Sequence, residues 1–117
     1  MINAYINLDK EHANFLQIFK DVGIKKLTIK NIENQSQIDI ALTSLSKYGD
    51  TKKSLSDIES ASKPVPELII CDEESFDQTV DLIMNSRIQI ISSKSGLAEV
   101  NARINSLLGD TNSEKIE

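Results

Sequence analysis

The sequence has few of the residues on which metal sites and disulfide scaffolds depend. It contains one cysteine, one histidine and no tryptophan among 117 residues. A single cysteine cannot form an internal disulfide, and so few thiol and imidazole groups leave little material for a zinc site or a Ser-His-Asp triad. We therefore expect one domain that folds on its hydrophobic core alone, since a chain of this length can bury about two-thirds of its unfolded surface.

The sequence also lacks a long apolar segment and an excess of positive charge. Its longest apolar run, residues 68–71, is far shorter than the roughly 20 residues that span a bilayer, and no signal-peptide pattern opens the chain. We expect a cytoplasmic protein with no membrane insertion. The net charge of −5 offers no basic field for a phosphate backbone, so nucleic acid is excluded as an expected partner.

Apolar residues recur at helical spacing in four segments. Phe15, Phe19 and Val22 lie on one such stripe, which Gly23 closes, and later stripes follow residues that are typical of helix caps. The spacing predicts helices over 10–22, 36–48, 75–86 and 96–108. Residues 49–66 are polar and contain two prolines, so we expect a loop with one short helical turn there.

Short runs rich in isoleucine separate the predicted helices. They cover residues 4–8, 27–32, 67–71 and 88–91. Strands that alternate with single helices form parallel sheets, and the continuously apolar third run indicates a strand covered on both faces. We predict a flavodoxin-like three-layer α/β/α sandwich with a short parallel sheet in the order 2-1-3-4. The domain covers 1–108, and 109–117 form a polar tail or the start of a linker.

Polar and charged residues follow three of these strands, where parallel sheets collect their ligands. The candidates are Asp9 and Glu11 after the first run, Asp72 after the third, and Ser92, Ser93 and Lys94 after the fourth. If the first and third strands are neighbours, Asp9 and Asp72 lie within reach of one Mg²⁺ ion, which favours carboxylates and water.

Several of these residues resemble the receiver domains of two-component response regulators. Residues 66–72, Pro-Glu-Leu-Ile-Ile-Cys-Asp, are similar to the third strand of that family, which ends in the phosphoacceptor aspartate. The resemblance places Asp72 at the phosphoacceptor position, Asp9 and Glu11 in the acidic pocket, and Ser92 or Ser93 at the hydroxyl position. It implies a regulatory domain that is phosphorylated on Asp72 in the presence of Mg²⁺.

The chain also departs from the receiver pattern. Lys10 replaces the second acid after the first strand, and Glu73 and Glu74 add negative charge beside Asp72. The fifth βα unit of the family is missing, or an earlier unit is missing instead if Lys94 is the lysine of the last unit. We therefore expect a non-catalytic pseudo-receiver that needs no cofactor and acts as a protein-interaction module. It is similar to the N-terminal domains of pilus-assembly ATPases of the TadZ/CpaE group, which precede a MinD-like ATPase.

Two alternatives stay open beside the pseudo-receiver. One is a functional phosphoacceptor receiver that uses Mg²⁺, and the other is an unrelated flavodoxin-like binding domain or small enzyme. We expect His12 to be a solvated surface residue and Cys71 a core thiol. The outer face of the last strand and helix should close a homodimer or contact a following domain. Its predicted residues are Ile88, Ile90, Leu97, Val100, Ile104 and Leu107.

Overall fold

The computed structural model describes residues 2–27, 38–59, 65–79, 82 and 87–116. Residues 60–64 of the predicted loop 49–66 lie outside the described residues, and so do parts of one predicted strand and two predicted helices. They are 28–32 of the second strand, 36–37 of the second helix, and 80–81 and 83–86 of the third helix.

Five parallel strands form one sheet. They are β1 (Ile2–Asn7), β2 (Ile24–Leu27), β3 (Ile40–Ser44), β4 (Glu67–Cys71) and β5 (Ile88–Ser92). Their order across the sheet is β2-β1-β3-β4-β5, which is the flavodoxin-like order. The predicted fold class is confirmed, and the strands that correspond to the four predicted ones keep the predicted relative order. The second of them begins earlier than predicted, because β2 shares only Leu27 with the predicted strand over 27–32. One further strand, β3, is inserted between the first and the third of them.

Helices cover both faces of the sheet. They are α1 (Phe15–Asp21), α2 (Tyr48–Glu59) and α3 (Leu97–Ile116). Three short 3-10 segments, Lys10–His12, Leu45–Lys47 and Glu73–Thr79, follow β1, β3 and β4. Gly23 stands after α1 with φ of 83°, a left-handed conformation that glycine adopts at little cost. The chain thereby turns directly into β2.

The core lies mainly between the sheet and the pair α1 and α3. Phe15 and Phe19 of α1 meet Val100, Ile104 and Leu107 of α3 there, and all five side chains are buried. The opposite face carries a smaller cluster, in which Leu55 of α2 packs with Ala41 and Val65. Within the described residues, none of the helices combines the length and the apolar character needed to cross a membrane.

The predicted helix over 36–48 is wrong, because residues 40–44 form strand β3. Every residue of β3 is buried. Ile40 and Leu42 face the core under α1 and α3, whereas Ala41 faces α2. A strand covered on both faces needs apolar residues at successive positions. The prediction failed because an apolar run this short is equally compatible with the buried side of a helix.

The helix in this part of the chain lies further on. Residues 48–59 form α2, where we predicted a loop with one helical turn. Two side chains, Thr51 and Leu55, are completely buried one turn apart, so α2 is held by a narrow contact stripe on a polar helix.

The fifth βα unit is therefore present, and the prediction that it is missing is wrong. Because β3 precedes it, the run 67–71 is the fourth strand of five, so Asp72 follows the fourth strand instead of the third. Ser44 ends the true third strand. The last helix begins near the predicted residue and continues to Ile116, through most of the segment we predicted as a polar tail.

Candidate functional site

A pocket of about 160 Å³ opens at the carboxyl edge of the sheet. Its walls include three of the predicted site residues, Asp9, Glu11 and Asp72. The structure therefore brings the acids after β1 and the acid after β4 to one place, although β3 lies between the two strands. The other polar residues of the walls are His12, Ser46, Ser75 and Gln78.

Asp9 is held by two hydrogen bonds at the start of the segment Lys10–His12. Its Oδ1 accepts from the backbone N–H of Glu11 at 3.3 Å, and its Oδ2 accepts from the Ser46 hydroxyl at 2.9 Å. The Ser46 hydrogen bond and the Glu11 backbone hydrogen bond lower the pKa of Asp9, and the positive charge of Lys47 lowers it further. Asp9 is therefore an ionised capping residue at neutral pH.

His12 is buried, with 7% of its surface exposed, so the prediction that it is a solvated residue is wrong. Its Nδ1 lies 2.7 Å from the Oγ of Ser44, and its Nε2 lies 3.2 Å from Oδ1 of Asp72. The edge of its ring meets Phe15, with centroids 6.3 Å apart and planes at 88°. His12 therefore joins the end of β3 to the residue after β4.

The hydrogen-bond partners assign the proton of the neutral imidazole. The pKa of Asp72 is lowered by hydrogen bonds from Ser93 and His12, so its carboxylate is ionised and can only accept. The Nε2 of His12 must then carry the proton, and Nδ1 accepts from the Ser44 hydroxyl. The Oγ of Ser44 in turn accepts the backbone N–H of Asp9 at 2.8 Å.

These bonds form one chain across the edge of the sheet. It runs from the backbone of Asp9 through Ser44 and His12 to Asp72. It connects the carboxyl ends of β1, β3 and β4, three of the five strands. We call these residues the edge chain. Among the described residues, no buried side-chain N or O atom lacks a hydrogen-bond partner.

The edge chain contains the three residue types of a Ser-His-Asp triad, but its serine hydroxyl is not accessible to a substrate. Ser44 is completely buried, and its Oγ already accepts the Asp9 N–H. A nucleophilic serine must reach its substrate, and the residues that line the pocket do not include Ser44. The edge chain is therefore a structural connection between strand ends.

The residues after β5 face Glu73. The Ser92 hydroxyl lies 3.5 Å from Oε1 of Glu73, and Nζ of Lys94 lies 3.8 Å from its Oε2. Both members of this ion pair are exposed, so it contributes little to stability. Lys94 therefore pairs with Glu73, and Ser93 is the residue of this segment that lowers the pKa of Asp72.

The predicted magnesium ligands, Asp9 and Asp72, both have protein partners. His12 bonds Asp72, and the Ser46 hydroxyl and the backbone N–H of Glu11 bond Asp9. In the described part of the chain, no group of three or more His, Cys, Asp or Glu side chains is arranged to hold a metal ion. Two carboxylates and solvent are the ligands that remain for Mg²⁺ at this edge.

Cys71 lies in the wall of the pocket at the end of β4 and is buried. Burial raises the pKa of its thiol, and the charges of Asp72 and Glu74 raise it further. Such a thiol is a poor nucleophile at neutral pH.

The predicted interface residues divide into two groups. Val100, Ile104 and Leu107 are core residues under the sheet, and Ile88 is also buried. Ile90 is half-buried, and Leu97 is 49% exposed. The predicted surface is thereby reduced to Ile90 and Leu97, since buried side chains offer no contact area.

Sequence reasoning missed His12 and Ser44. The signal for His12 was its position three residues after Asp9, on the segment that follows β1. Ser44 was hidden inside the predicted helix 36–48, so nothing placed it at a strand end.

Comparisons with known proteins extend this description of the fold. No protein-family model matches the chain, and no curated protein matches it. Among solved structures, the crystal structure of adenylate cyclase from Rhodopirellula baltica matches with a TM-score of 0.67 and 6% sequence identity. The match covers 98% of this chain and 93% of that chain. At this identity the likeness shows the shared fold alone.

Proposed function

We propose that the chain is a pseudo-receiver, a regulatory protein-interaction module that works without phosphoryl transfer. The observation that carries the proposal is the edge chain, in which His12 bridges Ser44 and Asp72. In receiver domains the third strand ends in the phosphoacceptor aspartate, and here β3 ends in Ser44. The one acid whose carboxylate takes part in the edge chain, Asp72, follows the fourth strand, where receivers carry a hydroxyl residue.

The charges of the site support the same proposal. The pKa values of Asp9 and Asp72 are both lowered, so the pocket holds two carboxylates that are ionised at neutral pH. Glu73 and Glu74 are exposed directly beyond Asp72. An incoming phosphoryl group would meet like charge on each side, without a third protein ligand to hold a compensating Mg²⁺ ion.

Incubation with a small-molecule phosphodonor and Mg²⁺, followed by intact-mass spectrometry, tests the proposal. We expect no adduct with the mass of one phosphoryl group, under conditions that fully modify a phosphorylatable receiver measured in parallel. The alternative function, a phosphoacceptor receiver, predicts a Mg²⁺-dependent adduct that disappears in Asp72→Asn. That result would overturn the proposal.

The predicted homodimer and fused partner belong to this proposal. Ile90 lies on β5, an outer strand of the sheet, and is half-buried. An outer strand offers backbone groups for pairing with a second copy or with a following domain, such as the MinD-like ATPase of the pilus-assembly group. Sedimentation equilibrium tests the dimer. A concentration-dependent mass that Ile90→Lys abolishes supports it, and a monomer at every concentration contradicts it.

A further inference from the structure

The exposed apolar side chains of the described residues share one edge of the molecule. Leu16, Phe76 and Leu97 are 41%, 40% and 49% exposed, and they are the large hydrophobic residues with high exposure in this part of the chain. Leu16 lies in the first turn of α1, Phe76 in the segment Glu73–Thr79, and Leu97 at the start of α3. A segment that follows a parallel strand begins at the carboxyl edge of the sheet, so all three lie there.

One of these three side chains, Phe76, adjoins the pocket. Ser75, directly before Phe76, and Gln78, two residues after it, both line the pocket wall. Phe76 therefore lies beside the pocket. Single exposed hydrophobic residues are normally scattered over a protein surface. Here they are confined to the edge that also carries a pocket, which indicates a contact surface.

The charge around these side chains specifies the partner. Six acids lie at or directly beyond the ends of β1 and β4, and they are Asp9, Glu11, Asp72, Glu73, Glu74 and Asp77. Fewer cations share the edge, and Lys94 already pairs with Glu73. Nucleic acids and anionic lipid surfaces are repelled by such a field, whereas lysine and arginine side chains are attracted.

We propose that the carboxyl edge of the sheet is the docking surface for a basic, amphipathic protein segment. Apolar side chains of the segment contact Phe76, Leu97 and Leu16, and its lysine or arginine side chains approach the acids around the pocket. Recognition of this kind uses apolar anchors for affinity and charge for orientation and speed of association. The inference rests on the proposed function as an interaction module and assigns that module its surface.

A pair of designed peptides tests the surface. A helical peptide of lysine and leucine at amphipathic spacing is added to the isotope-labelled full chain, and amide shifts are followed by NMR. A peptide of the same length with glutamate in place of lysine is the comparison. We expect saturable shifts at residues 9–12, 72–78 and 97 with the lysine peptide, weakened by added salt, and no saturable shifts with the glutamate peptide.

Variants of the chain sharpen the test. Phe76→Ser should weaken binding about tenfold, as expected for loss of an aromatic anchor. Asp77→Lys should also weaken it, whereas Asp21→Lys is the matched control, because Asp21 is an exposed acid at the opposite end of α1. Equal effects of the two charge reversals would overturn the proposal.

Other outcomes also contradict the surface. They are equal binding of both peptides, shifts confined to the outer face of β5 and α3, or no saturable shift up to about 1 mM peptide. These results are separate from the phosphodonor experiment. A missing docking surface leaves the absence of phosphoryl transfer standing, and a phosphoryl adduct on Asp72 leaves the peptide result standing.

Discussion

The contact between Ser44 and His12 should be strongly coupled, and a double-mutant cycle can isolate it. The Oγ of Ser44 and Nδ1 of His12 are 2.7 Å apart, and both residues are buried. His12→Ala leaves the Ser44 hydroxyl buried without an acceptor, and Ser44→Ala leaves the imidazole nitrogen without its donor. Each single variant therefore carries the cost of one unpaired buried polar group, which the double variant does not carry.

The magnitude follows from these costs. Ser44→Ala should lower the free energy of unfolding by about 1–3 kcal/mol. His12→Ala should lower it by about 2–4 kcal/mol, because the space left by the ring beside Phe15 adds to the unpaired hydroxyl. The double variant should cost about 1–2 kcal/mol less than the sum of the two single variants.

The cycle removes the other contacts of the two residues from the comparison. The backbone N–H of Asp9 loses its acceptor in both variants that lack the Ser44 hydroxyl, and Asp72 loses its donor in both variants that lack the imidazole. Both effects cancel in the coupling energy. Urea denaturation followed by circular dichroism supplies the four free energies. Additivity within about 0.5 kcal/mol would refute the contact, since distant sites are additive to that extent.

Three further predictions follow from the burial and pKa of individual residues. The folded-state pKa values of Asp9 and Asp72 lie below their ordinary value of 3.8. The stability that these two carboxylates contribute is therefore present above about pH 4 and is lost as the pH falls through the folded-state values. The urea midpoint should decline over that pH range, and it should decline less in Asp72→Asn. Cys71, buried and with a raised pKa, should react with a thiol reagent at the rate of unfolding, and rapid reaction of the folded chain would contradict its burial. Phe19→Ala should cost about 3–5 kcal/mol, whereas Leu16→Ala on the exposed side of the same helix should change stability by about 0.5 kcal/mol or less, both measured by urea denaturation.

The fold class was predictable because its strongest signals are local. Residues 67–71 are apolar at nearly every position, and they form a strand that is buried at every residue. The stripe of Val100, Ile104 and Leu107 has helical spacing and lies in the core. Alternation of such strands and helices restricts the topology to a parallel sheet with few possible orders.

The predictions for residues 38–59 were wrong because two weak local signals compete there. A buried five-residue strand and one side of a helix require the same apolar residues, so Ile40, Ala41 and Leu42 did not distinguish them. The helix that follows buries Thr51 and Leu55 among many polar residues, and this gives little amphipathic signal. Because β3 was not predicted, the strand before Asp72 was counted as the third instead of the fourth.

The site was only partly accessible from the sequence for a different reason. The carboxyl ends of parallel strands meet, and this rule places Asp9 and Asp72 at one edge without further knowledge. The role of His12 depends on which residues surround it after folding. Its side chain contacts Phe15, Ser44 and Asp72, which come from three separate parts of the chain. No local sequence pattern around residue 12 predicts these contacts.

The edge chain depends on His12, and because the sequence has a single histidine, ¹⁵N NMR of the imidazole measures its hydrogen bonds directly. For the neutral ring, we expect a proton on Nε2 with slow solvent exchange, an unprotonated Nδ1, and a change of the Nδ1 shift in Ser44→Ala. The Nε2 signal should change in Asp72→Asn. A ring with averaged nitrogen shifts, fast proton exchange and no response to either substitution would show that His12 is solvated and does not join the strand ends.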